Sequence, residues 1–262
     1  MDTTLDRSAM VTGAARGIGR AIALRLAEDG FAVTVSDLES AQHDARQVVE
    51  DVARAGGTAR FAAADVSLPG DVEAAVAEHV RAYGGLDAMV ANAGIAITSP
   101  LVETTPEQWR QTMEVNLNGV FHCYQAAARQ MIEQGRGGRL IGAASVAAHR
   151  GGIWQGAYSA SKFGIRGLTQ SVAQELAPYG ITANVYSPGV VQTPMWESID
   201  DEMTRRTGQP TGMAMHAMTQ AIALGRLETP ADVAGVVSFL ASPDAGYITG
   251  QSIVVDGGMW FS

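Results

Sequence analysis

Thr12-Gly13-Ala14-Ala15-Arg16-Gly17-Ile18-Gly19 stands where a short apolar run, Ala9–Thr12, passes into a segment of helical periodicity, Gly17–Asp29, whose Ile18, Ile22 and Leu26 share one face. Glycines at such a junction let the chain turn tightly. They also let phosphate oxygens approach the backbone N–H groups at the helix N-terminus. The spacing is Gly-x3-Gly-x-Gly rather than the commoner dinucleotide fingerprint, so the run alone is weak evidence, and a plain connecting turn is the competing reading. The strand before it and the helix after it favour phosphate binding by Gly13, Arg16, Gly17, Ile18 and Gly19.

Outward from that turn the same rhythm repeats. Apolar runs at Phe31–Ser36, Arg60–Ala64, Leu86–Ala91, Arg139–Ala144, Thr182–Ser187 and Ser252–Val255 read as further strands. Helical patterns separate them at Glu39–Ala55, Asp71–Tyr83, Pro106–Asn116, Val120–Gln134, Ala157–Tyr179 and Pro230–Ala241. Alternation of this kind predicts βαβ units. The expected fold is α/β: a Rossmann-type, doubly wound, parallel seven-stranded sheet with helices on both faces, in one domain over residues 1–262. From Gln192 to Leu227 no strand pattern exists, and Met195, Met203, Met213, Met215 and Met218 supply flexible apolar side chains. A helical substrate lid over about 192–227 is expected; a helical excursion packed for stability alone is the alternative.

Composition agrees with one large core: of 262 residues, 47% are apolar, 17% charged and 30 are glycine. The net charge of −9, without a cluster of Lys or Arg, disfavours nucleic-acid partners. The lone Cys123 cannot form an intrachain disulfide and suits a buried helix position. Met1–Arg7 lacks a signal-peptide pattern, and the longest apolar runs, such as Ala234–Ala241, are under half a membrane span. A soluble cytoplasmic protein is expected, with no membrane partner and no metal site.

In an open parallel sheet the carboxyl ends of the strands open onto the ligand crevice. Asp37, beside Leu38, ends the second strand, 18 residues beyond Gly19. A carboxylate there accepts hydrogen bonds from both adenosine ribose hydroxyls and repels a 2′-phosphate, which favours NAD over NADP. Arg16 argues the other way if its guanidinium meets a phosphate, and is bland if solvated. Asp65-Val66 and Asn92-Ala93-Gly94 follow the next two strands and suit the adenine and the ribose; a turn residue capping its own backbone is the alternative at each.

Tyr158 and Lys162, in Tyr-Ser-Ala-Ser-Lys, lie four apart near a helix start, on one face. A phenol with a pKa near about 10 is a poor acid or base at neutral pH, and an ammonium one turn away favours the phenolate. As a bare pair they would be an ordinary surface contact. Their company raises the chemical reading: Ser145 at the end of the fifth strand to hold a substrate oxygen, and Asn116 inside a helical pattern to kink it and hold a water near Lys162. Pro188, Gly189, Val191 and Thr193 follow the sixth strand and would meet the nicotinamide.

Together these residues resemble the short-chain dehydrogenase/reductase family, over nearly the whole chain. The family's phosphate loop falls on Thr12–Gly19, its acidic ribose residue on Asp37, and its catalytic tetrad on Asn116, Ser145, Tyr158 and Lys162. One departure is Ala91, where an Asn usually precedes Asn92-Ala93-Gly94. Thr193-Pro194-Met195-Trp196, Ala223-Leu224-Gly225-Arg226 and Asp256-Gly257-Gly258-Met259 are similar to the acetoin reductase/2,3-butanediol dehydrogenase group. That resemblance implies an NAD-dependent homotetramer that interconverts small ketones and secondary alcohols: acetoin, diacetyl and vicinal diols. The expected substrate pocket is Ser145, Val146, Gly152, Trp154 and Trp196, whose apolar Val146 and tryptophans suit a bulkier, less polar carbonyl compound equally well. An NADPH-dependent 3-oxoacyl or other ketoreductase is the rival enzyme, and a dinucleotide-sensing scaffold without turnover the rival outside enzymes. The apolar end Met259-Trp260-Phe261-Ser262 suits docking on a neighbouring subunit or closing a pocket.

Overall fold

A computed structural model describes residues 7–208 and 210–261. The leaderless start expected over Met1–Asp6, Gln209 of the lid segment and the terminal Ser262 lie outside the described residues. Seven parallel strands form one sheet: β1 (Ser8–Thr12), β2 (Ala32–Asp37), β3 (Ala59–Ala63), β4 (Ala88–Ala91), β5 (Gly138–Ala143), β6 (Ile181–Pro188) and β7 (Ser252–Val255). Their spatial order is β3-β2-β1-β4-β5-β6-β7, so the chain reverses direction across the sheet between β1 and β4. That switch point opens the crevice in which such sheets bind ligands.

Both faces of the sheet are buried, as the continuous apolar runs require. Ala9 and Val11 face one core with Val33 and Val35, while Met10 between them faces the other with Met89 and Leu140. Helices α1 (Gly17–Glu28) and α9 (Pro230–Ala241) pack on each other and cover the first face. Ile22 and Leu26 meet Val233 and Val237 there. Helices α2 (Gln42–Arg54) and α3 (Pro69–Tyr83) flank β3, and α6 (Gly156–Leu176) packs on β6 with Ile165 in the second core.

One difference from expectation has a physical cause. The helices expected at 106–116 and 120–134 are one continuous rod: α4 (Pro106–Met113), a π-helical turn (Glu114–Asn118) and α5 (Gly119–Gln134). The widened turn lies where Asn116 points its amide inward, and Gly119 abuts Val66, where a Cβ would sit 2.8 Å from Val66 Cγ2. As expected of a helical segment, the described residues of 192–227 hold two helices, α7 (Pro194–Thr207) and α8 (Met213–Ala221), and no strand. Buried Asp200 of α7 joins them, accepting from Gly212 N at 2.7 Å and Met215 N at 3.2 Å.

Candidate active site

The phosphate turn is shaped by space as well as torsion. Gly13 and Gly17 sit at φ +62° and +57°, where only glycine rests without strain. Gly19 is helical, but a Cβ on it would overlap the Gly13 carbonyl and stand 2.5 Å from Asn92 Nδ2. No side chain caps the first turn of α1 and no acid stands in it. Its amides therefore remain donors for an anion, which the dinucleotide's phosphates fit. Asp37 ends β2 with one oxygen accepting from Ala15 N and the other from Leu38 N, both at 2.9 Å. Those bonds aim the carboxylate at the cleft beside the turn. Arg16 is exposed, and so is Leu38.

Of the two strand-end polar residues, Asp65 bonds within its own turn and Asn92 bonds across to other segments. Asp65 Oδ1 accepts from its own turn, Ser67 N at 2.9 Å and Ser67 Oγ at 2.7 Å. Val66 packs beneath Gly119. Asn92 braces the phosphate turn from behind: Nδ2 donates to the carbonyls of Thr12 (2.9 Å) and Gly13 (3.0 Å), and Oδ1 accepts from Tyr186 OH at 2.8 Å. Its side chain is thus spent on the fold, and Ala93 packs against Gly13. Ala91, at the departure from the family pattern, is buried in the second core.

Past the switch point the chemical group assembles. Tyr158 and Lys162 lie on one face at the start of α6, with Lys162 Nζ 5.4 Å from the Tyr158 ring centre and donating to Ala143 O at 2.7 Å. Ser145 follows β5, its hydroxyl accepting from Ala147 N at 3.1 Å, and it lies close enough to Tyr158 to draw the phenol pKa down. Asn116 clamps one backbone unit in both directions, accepting from Ile95 N at 2.8 Å and donating to Ile95 O at 2.9 Å. It also donates to Ser161 Oγ at 3.1 Å. Gly94 separates the two: a Cβ there would stand 3.3 Å from Asn116 Oδ1 and 3.6 Å from Lys162 Nζ.

Burial governs the titration of this group. It pushes the Lys162 ammonium down to about 7 and raises the Tyr158 phenol, with Ser145 beside it pulling the phenol partly back. The net shift of the phenol is therefore upward, because desolvation is the largest influence on it.

The expected nicotinamide side is close by. Gly189 N donates to Val255 O (2.8 Å) just past β6, and Thr193 Oγ1 donates to Val191 O at 3.3 Å. Thr193 Cγ2 stands 3.6 Å from where a Gly17 Cβ would be, so this segment abuts the phosphate turn. The expected pocket residues divide. Val146 is buried next to Ser145, and Gly152 N donates to Ser159 Oγ at 3.3 Å. Trp154 takes φ +59°, unusual for an indole, while its carbonyl accepts from Ser99 N at 2.7 Å. Trp196, on α7 of the lid itself, packs with Val190, Ile222 and Met259, beside Met218 and Trp260. A cleft opens between residues 96–99 and α7, lined by Thr98, Gln108, Glu202 and Arg206.

A family model described as enoyl-(acyl carrier protein) reductase matches residues 13–260. L-2,3-butanediol dehydrogenase of Corynebacterium glutamicum is 46% identical over 98% of this chain and 100% of its own. A diacetyl reductase of the (S)-acetoin-forming type from Staphylococcus epidermidis is 41% identical over 97% and 99%. The crystal structure of a short-chain type dehydrogenase/reductase from Mycobacterium marinum superimposes with a TM-score of 0.89, at 34% identity, over 99% of this chain and 97% of that one. The chain belongs to the short-chain dehydrogenase/reductase family. It is an oxidoreductase for a nicotinamide cofactor and a small molecule, acting on an alcohol or the matching carbonyl group.

Within this short-chain dehydrogenase/reductase the fold adds residues that sequence patterns did not mark. Arg206 of α7 pairs with Glu103 at 2.9 Å and lies 5.9 Å over the Trp154 ring, tying lid to substrate loop. Glu228, buried before α9, accepts from Gly189 N at 2.9 Å. Neither role has a sequence signal, because the partners that matter, Glu103 for Arg206 and Gly189 for Glu228, are distant along the chain. Among the described residues, no helix is long and apolar enough to cross a membrane, and no group of three or more His, Cys, Asp or Glu is placed to hold a metal.

Proposed function

We propose that this chain is an NAD(H)-linked reductase of acetoin- and diacetyl-type ketones, reversible toward 2,3-butanediol-type diols. The observation that carries it is the Tyr158 phenol with Ser145 beside it and the buried Lys162 Nζ 5.4 Å from its ring, on a sheet whose first strand ends in a turn with glycines at positive φ. The substrate class comes from the activities named for the two curated relatives. A bound nicotinamide supplies or accepts the hydride. Tyr158 passes the proton to or from the substrate oxygen, which Ser145 holds. Lys162 favours the phenolate and binds the cofactor's ribose, and Asn116 holds the backbone behind Lys162, where a water relay reaches solvent.

Gly13, Arg16, Gly17, Ile18 and Gly19 take the phosphates; Asp37 and Leu38 take the adenosine ribose, with Asp65, Val66, Asn92, Ala93 and Gly94 along the adenosine side. Pro188, Gly189, Val191 and Thr193 take the nicotinamide. Asp37 favours NAD, since its carboxylate would face a 2′-phosphate with no cation bonded to it. Val146, Gly152, Trp154 and Trp196 shape the substrate end, and an apolar Val146 admits bulkier ketones. A second reading, an NADPH-linked acyl ketoreductase, draws on the family model's acyl-carrier-protein description, and Asp37 opposes it.

The working unit is one domain, residues 1–262 with a lid at about 192–227, in a cytoplasmic homotetramer. Half-exposed rings of Trp109, Phe121 and Phe163 on α4, α5 and α6 support subunit contacts. Light scattering tests that number, and cell fractionation tests the compartment.

Tyr158→Phe tests the chemistry. Diacetyl reduction should fall by about 10²–10⁴-fold while NADH still binds, as expected for loss of a positioned proton donor. A variant that keeps most of its rate would sink the assignment. Parallel turnover of diacetyl with NADH and NADPH, and of aryl ketones, decides between the two enzyme readings.

A further inference from the structure

Glu228 is the last residue before the capping box that starts α9, in which Thr229 and Asp232 exchange hydrogen bonds. It is buried, yet its carboxyl meets no cation: Oε2 accepts from Gly189 N at 2.9 Å, and Oε1 has no partner. Its backbone grips the same segment twice more. Glu228 N donates to Val190 O at 3.1 Å, and Gln192 N donates to Glu228 O at 2.9 Å. Three hydrogen bonds from one residue therefore hold 189–192, the stretch between β6 and the lid.

The anchor is rigid because α9 packs along α1, the helix that begins at the phosphate turn. A chain of contacts thus runs from Gly17 through α1 and α9 to Glu228, and on to Thr193, which abuts Gly17 again. We propose that Glu228 is a positioning residue of the cofactor site, setting the nicotinamide-side segment Pro188–Thr193 at its distance from the phosphate turn. This rests on the proposed reading of the cleft as a dinucleotide site. The acid acts as an uncharged acceptor at neutral pH, because burial lifts it to about 8, with Asp232 and Asp256 adding to the rise and Arg226 opposing it. Glutamine supplies the same acceptor without the charge.

The test uses two probes on the intact chain, NADH and ADP-ribose, titrated by fluorescence and calorimetry at pH 7. ADP-ribose has the adenosine, phosphates and both riboses but no nicotinamide ring. Glu228→Ala should weaken NADH by about tenfold, the scale of one buried hydrogen bond, and leave ADP-ribose within about twofold. Glu228→Gln should restore NADH binding to within about twofold of the parent protein. Equal loss of both probes in Glu228→Ala, no loss of either, or no rescue by glutamine would each overturn the role. If the parent protein binds neither probe, the dinucleotide reading falls first and this inference with it.

Discussion

Gly19→Ala sets helix propensity against packing at one position. Gly19 is helical, so alanine there gains about 1 kcal/mol of propensity. The added Cβ, however, overlaps the Gly13 carbonyl and lies 2.5 Å from Asn92 Nδ2 and 2.9 Å from Ala14 Cα. Two of those neighbours are backbone and cannot swing away. Overpacking of this kind costs about 1–3 kcal/mol. Displacing Asn92 also breaks its bonds to the carbonyls of Thr12 and Gly13, each worth about 1 kcal/mol. The net expectation is a loss of about 2–4 kcal/mol, or roughly 5–12 °C in Tm for a chain of this size. NADH affinity should fall at least about tenfold, because the disturbed carbonyl belongs to the phosphate turn. Gly17→Ala is the contrast: the nearest atom to its Cβ is 3.6 Å away, and only the φ of +57° is strained, at about 1–2 kcal/mol. Thermal unfolding and NADH titration of both variants decide the matter. A Gly19→Ala protein with unchanged or higher Tm, as propensity alone demands, would refute the packing argument.

Asp37→Ser should raise the turnover ratio of NADPH to NADH by an order of magnitude or more, since the carboxylate facing the 2′-position is removed; an unchanged ratio would move the preference elsewhere. Arg206→Ala should raise KM for the ketone severalfold while leaving NADH affinity unchanged, because the ties to Glu103 and Trp154 close the lid side only. His79 is buried between Ser8 Oγ at 3.0 Å and Thr34 Oγ1 at 2.7 Å, and burial lowers it to about 4. Its folded pKa lies below the unfolded value of 6.5, so its contribution is present above pH 6.5 and is lost as pH falls toward 4, by roughly 3 kcal/mol. Urea unfolding at pH 7 and pH 4.5 should show that loss in the parent protein and a flatter response in His79→Gln.

Much of the site was legible in one dimension because its parts are local. A glycine turn between a strand and a helix, a carboxylate at a strand end and a Tyr-x3-Lys pair on one helix face each declare themselves within a few residues. What local patterns could not settle was where a polar side chain spends its hydrogen bonds. Asp65 closes its own turn, and Asn92 faces the back of the phosphate turn because Tyr186, 94 positions away, offers a hydroxyl there. At the π-turn Glu114–Asn118 the sequence marked Asn116 as a kink but not its partner, Ile95, which lies on another segment.

The sequence by itself determined the alternating α/β order, the seven strands and the chemical pair, since these follow from periodicity and from spacing along one helix. Only the tertiary structure decided the protonation of that pair. Burial pushes Lys162 down to about 7 and Tyr158 up, and desolvation is a property of the surrounding shell rather than of four intervening residues. It also decided which charges serve the site. Glu228 and Arg206 reach Gly189 and Glu103 across 39 and 103 positions, and only the packing of α9 and α7 brings those pairs within hydrogen-bond reach.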